Sequence, residues 1–103
     1  MAITVLIRYQ LDPFQPDAFQ TYARRWLTII PKCGGDTAGY WMPHEGTNNI
    51  GYAMISFDSL AAYEQYRACL RSDAEAVANF QFAEERRFIL AEERTFLRPV
   101  TSG

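Results

Sequence analysis

One histidine, one lysine and two cysteines are all that these types contribute to the 103 residues, and their scarcity excludes several chemistries at once. Zinc and iron sites usually need three or four preorganised ligands, whereas His44, Cys33 and Cys69 show neither CxxC nor HxH spacing. No metal and no cofactor is therefore expected. GxSxG elbows, HExxH helices and glycine-rich loops ahead of a helix are all missing, which removes the usual hydrolase, metalloprotease and phosphate-cradling patterns. Net charge is only −2, with acids and bases interspersed, so neither nucleic acid nor an anionic membrane is an expected partner. Apolar runs never approach the roughly 18 residues that span a bilayer. The segment Met1 to Arg8 lacks the basic start and long apolar stretch of a signal peptide. A cytoplasmic location follows as the expectation, and with it reduced, structural thiols at Cys33 and Cys69.

What the chain does contain is apolar surface. Hydrophobic residues make up 49% and aromatic residues 15%, enough for one core in a single domain spanning residues 1–103. Ile3 to Gln10 alternates with a period of two, which predicts a strand. Pro16 and Asp17 open a helix on which Phe19, Tyr22, Ala23, Trp26, Leu27 and Ile30 recur at helical spacing up to Pro31. Asp36 to Pro43 and Asn49 to Phe57 predict two antiparallel strands around a hairpin loop, His44 to Asn48. Ser59 can cap a helix with Leu60, Tyr63, Tyr66, Arg67 and Leu70 on one face. Asp73 can cap another that turns Val77, Phe80 and Ala83 inward. Phe88 to Arg98 predicts the last strand. Strand, helix, strand, strand, helix pair, strand is the order of an α+β, ferredoxin-like split βαβ sandwich: an antiparallel four-stranded sheet with helices on one face.

That architecture leaves the other sheet face without a helix. Both parities of the strands carry large apolar groups, with Leu6 opposing Ile3, Val5 and Ile7, and with Tyr52 and Met54 opposing Ala53, Ile55 and Phe57. A second copy would cover the exposed parity and protect the strand edges, so a homodimer closing an α/β barrel is expected.

Several segments then converge on one family. Tyr22-Ala23-Arg24-Arg25-Trp26, Gly34-Gly35, the run Gly39 to Gly46 followed by Asn48-Asn49, Phe57 to Tyr63, and Glu92 to Pro99 give the whole chain its likeness. It resembles the short bacterial members of the NIPSNAP family, in the dimeric α/β barrel superfamily. The resemblance implies a ferredoxin-like dimer but no reaction, because the family has no agreed catalytic residues. Related barrel families include cofactor-independent monooxygenases, haem-degrading enzymes and isomerases that bind ligands between helices and sheet, an analogy of fold alone.

Candidate site residues cluster around the hairpin. His44 is the one side chain whose ordinary pKa suits proton exchange near neutrality, with Glu45 available to orient it. The competing reading has His44 bonding only the turn backbone. Asn48 and Asn49 can present amides to a carbonyl or oxyanion, or simply shape the turn. Tyr40, Trp41 and Tyr52, with Trp26 and Tyr22 from the first helix, can line an apolar cavity; Trp26 and Tyr22 also fit helical core spacing, and core packing is the reading favoured for Trp26. Nine of the ten basic residues are arginine, and Arg8 and Arg94 fall in strands expected to be neighbours, where they can share a face with Glu92. They are candidates either for anion capture or for ion pairing along the sheet. Two functions follow: a dimer that binds a small apolar or aromatic ligand or a protein partner, or a metal-free enzyme of monooxygenase or isomerase type working in the helix–sheet cleft.

Overall fold

Alternating side chains make Ile3–Leu11 a strand, β1, which is one of the two inner strands of a four-stranded antiparallel sheet in the order β2-β3-β1-β4. The computed structural model describes residues 2–102. The other elements are α1 (Pro16–Lys32), β2 (Asp36–Trp41), β3 (Ile50–Phe57), α2 (Leu60–Ser72), α3 (Ala74–Arg86) and β4 (Ile89–Leu97). This is the predicted split βαβ, ferredoxin-like arrangement.

Local chemistry fixes the helix ends. Asp12 accepts bonds from the Phe14 amide at 2.9 Å and the Gln15 side chain at 3.0 Å, turning the chain before Pro16 occupies the first turn of α1. Ser59 caps α2 by accepting from the Ala62 amide at 3.1 Å. Asp73 does the same for α3 from the Ala76 amide at 3.0 Å. Pro31 lies within the last turn of α1 rather than beyond it, and Gly34 reverses the chain at φ +98°.

All three helices cover one side of the sheet. Val5, Ile7, Tyr9, Ala53, Ile55 and Phe57 point into that layer and are buried, as their shared parity requires. Phe19, Tyr22, Trp26, Ile29 and Ile30 descend on them from α1, and Phe88 closes the layer beneath Phe19 and Tyr22. On α3 the buried positions are Ala76 and Asn79, whereas Val77 was expected to point inward and is half-buried. Phe80 and Ala83 pack against the core as expected, and Asn79 beside them donates to the Tyr22 carbonyl on α1 at 3.1 Å.

The thiol expectation is corrected. Cys33 at the end of α1 and Cys69 near the end of α2 form a disulfide, with Cα atoms 5.6 Å apart. Sequence spacing could not reveal it, since two cysteines 36 positions apart pair only when packing brings the helix ends together. Lys32 reinforces the same junction, with its ammonium 2.9 Å from Asp73 and 2.6 Å from Glu75.

On the helix-free face Leu6 stands opposite Met54, and Trp41, Tyr52 and Leu97 remain 47%, 38% and 40% exposed.

Candidate functional site

The strand register decides which predicted residues can act together. Trp41 pairs with Tyr52, Tyr52 with Arg8, and Arg8 with Glu93, so these four form one row across the helix-free face. Their chain neighbours Tyr40, Ala53, Ile7 and Arg94 form the next row, which faces the helices. The pleat therefore separates Arg8 from Arg94. This corrects the expectation that both would share a face with Glu92: Arg94 pairs with Glu92 at 3.2 Å on the helix side, and Arg8 approaches Glu93 at 3.8 Å on the other.

The hairpin residues stand apart from both rows. His44, Glu45 and Asn48 are exposed and Asn49 is half-buried. Gly46 takes φ +98° between them. The Asn49 carbonyl accepts the Leu11 amide at 2.7 Å, tying the loop to the end of β1. None of these four side chains lines a cavity found between helices and sheet.

A cleft does open between the helices and β4. Its wider part holds about 420 Å³ and is lined by Tyr22 of α1, Arg67 of α2, Phe80, Ala83 and Glu84 of α3, and Ile89 and Glu92 of β4. Tyr22, Arg67 and Phe80 also border an inner chamber of about 20 Å³. Around that chamber stand the phenols of Tyr9, Tyr40 and Tyr66, with Trp26 and Arg94. The hydroxyls of Tyr9 on β1 and Tyr40 on β2 approach to 3.4 Å in the chamber wall. Trp26 packs edge-on to Tyr22 at 5.7 Å and against Phe80 at 4.9 Å, which makes it the partition between cleft and core.

Burial governs the electrostatics of these phenols. Desolvation pushes the pKa of Tyr9 and of Tyr40 well upward, and that of Tyr22 upward as well, against the opposing hydrogen bond from Trp26. Tyr66 is raised to about 12, again chiefly by desolvation, with Arg67 pulling the other way. All four stay protonated at neutral pH and can donate hydrogen bonds. Arg67 has no carboxylate within ion-pair distance among the described residues. No cluster of three or more His, Cys, Asp or Glu among the described residues could hold a metal ion.

Helical spacing alone assigns Tyr66 and Arg67 to a packed helix face, and it does not reveal their contribution to a site; Tyr22 lines the cleft as its cavity reading allowed. The available signal was Arg67 itself, a guanidinium placed on the apolar face between Tyr66 and Leu70. A charge on such a face needs a partner or a cavity.

The NIPSNAP family model matches residues 4–102. The chain belongs to the NIPSNAP family. Among solved structures, it is similar to a NIPSNAP family protein of unknown function from Agrobacterium tumefaciens, at TM-score 0.84 and 19% identity, covering 99% of this chain and 91% of that one. An uncharacterized NIPSNAP domain protein from Burkholderia xenovorans gives TM-score 0.80 and 20% identity over 98% and 97% of the two chains. SnoaB, a cofactor-independent oxygenase from Streptomyces nogalater, shares the fold at TM-score 0.72 and 10% identity, over 98% and 95%. No curated protein matches the sequence. Among the described residues, no helix of this NIPSNAP protein is long and apolar enough to cross a membrane.

Proposed function

We propose that this NIPSNAP protein is a homodimer whose helix–sheet clefts each bind a small apolar or aromatic ligand. The observation that carries the reading is the 420 Å³ cleft walled by Tyr22, Phe80 and Ile89. Its size falls within the range of small-molecule sites, and its apolar wall with a few polar groups has their usual character. Support for the dimer is the row of exposed apolar side chains on the helix-free face, Trp41 and Tyr52 foremost, beside edge strands β2 and β4. The cytoplasm is the compartment of this reading, where the thiol pool would set the oxidation state of Cys33 and Cys69.

Native mass spectrometry of the purified protein tests both halves together. The expected result is a dimer carrying a small-molecule adduct, with the adduct lost and the dimer kept in Ala83→Trp, which fills the cleft from α3. A bare monomer would overturn the reading.

The second reading is a metal-free enzyme of monooxygenase or isomerase type, favoured by the fold shared with a cofactor-independent oxygenase. Histidine does not line the cleft, so proton transfer there would fall to Glu92 or Glu84. In this reading Glu92→Gln abolishes turnover of the adduct compound while leaving its binding in place.

A further inference from the structure

Charge is distributed unevenly along the cleft. The inner chamber, at about 20 Å³, has room for one water-sized group. Its lining includes four tyrosines and the guanidinium groups of Arg67 and Arg94, with no carboxylate among them. Glu84 and Glu92 line the wider space instead, and Glu92 already neutralises Arg94 at 3.2 Å. Arg67 borders both spaces without a carboxylate partner among the described residues. A guanidinium can only donate hydrogen bonds, and phenols kept protonated by burial donate readily. The chamber lining therefore offers hydroxyl and guanidinium donors, and its only charged side chains are cationic.

The wider space has a complementary character. Tyr22 and Phe80 offer ring surfaces and Ile89 an aliphatic one, which suits the face of a flat molecule. A ligand that spans both parts needs an apolar, planar body and a small acceptor at one end.

We propose that the cleft takes a flat aromatic phenol or enol as its oxyanion, with the ring between Tyr22 and Phe80 and the single charged oxygen in the inner chamber beside Arg67. The inference rests on the ligand-binding reading of the cleft and adds the charge and orientation of the ligand. A carboxylate head brings two oxygens, too bulky for a chamber of about 20 Å³. An anion brought out of water needs a counter-charge, and Arg67 is the uncommitted one. Stabilising the ionised ligand lowers the ligand's own pKa on the protein, an effect that mere apolar binding does not produce.

4-Nitrophenol is a suitable probe, since its phenolate and phenol absorb at different wavelengths and it ionises near neutrality; nitrobenzene is its uncharged counterpart. The expected result is binding of 4-nitrophenol with a shift of its spectrum towards phenolate at fixed pH. Arg67→Met should reverse the shift and weaken 4-nitrophenol about tenfold or more, while changing nitrobenzene affinity less than about twofold. Circular dichroism of Arg67→Met checks that the half-buried position tolerates the change. Binding of both probes without a phenolate shift, or a shift unchanged in Arg67→Met, overturns the oxyanion assignment and leaves the cleft reading standing. No binding of either probe, or binding that survives in Ala83→Trp, overturns both.

Discussion

Cys33 and Cys69 join the C-terminal ends of α1 and α2 through a disulfide whose Cα atoms lie 5.6 Å apart. The bridge closes a loop of 36 positions that includes β2, β3 and most of α2. Restricting an unfolded loop of this length corresponds to about 4 kcal/mol in the chain-entropy picture, and measured bridges typically give about 2–4 kcal/mol. Cys33→Ser with Cys69→Ser should therefore lower unfolding free energy by about 2–4 kcal/mol in urea titrations. Adding dithiothreitol should bring the unsubstituted protein down to the level of the variant. Equal stability of the two proteins without reductant would show that the bridge restrains nothing.

Alkaline pH should attack the cleft wall. Tyr66 ionises at about 12 in the folded protein, and burial raises Tyr9, Tyr22 and Tyr40 as well, whereas an unfolded chain releases its phenolic protons near pH ~10. Below pH ~10 both states hold these protons and stability is unaffected. Above it the unfolded state ionises first, so stability falls from pH ~10 and is progressively lost as pH rises through the folded values. Urea midpoints should stay level up to about pH 9.5 and then drop steeply. Tyr66→Phe should make that drop shallower by about one proton.

Gly35 has no room for a side chain. A Cβ there would sit 2.7 Å from Ile30 Cγ2 and 3.0 Å from Ile55 Cγ2, where α1 ends against β3. Gly35→Ala should cost about 1–3 kcal/mol through overpacking. The measurement is a urea unfolding curve with an unchanged slope and a lowered midpoint.

The sequence carried the fold more completely than the site, and the reason is physical. Periods of two and of helical spacing report which side of an element is apolar, and Ile3, Val5 and Ile7 or Phe19, Tyr22 and Trp26 state that directly. Boundaries moved only slightly: β2 stops at Trp41 rather than Pro43, and β1 runs on to Leu11. Proximity between elements is another kind of information. Cys33 meets Cys69, and Arg67 meets Tyr22 across the cleft, only because the fold brings the ends of α1 and α2 together with α3 packed against both. Arg8 and Arg94 were assigned to one face because neighbouring strands were known without their register, and a shift of one residue exchanges the faces. Asn79 was unreadable for a related reason, being a polar residue whose burial depends on the Tyr22 carbonyl of another helix.

β4 lies at one end of the sheet, with Glu92 and Arg94 turned to the cleft and Glu93 turned away beside Arg8. The same nine residues therefore answer to two environments through one backbone. A chain that hydrogen-bonded to the open edge of β4 would bear on the same backbone that carries the Glu92–Arg94 pair. A molecule lodged against that pair in turn favours one placement of the edge. The two events share a free energy of coupling, and it must be equal in both directions. Whatever factor a chain on that edge applied to the affinity for a cleft occupant, the occupant would apply the same factor to the affinity for that chain.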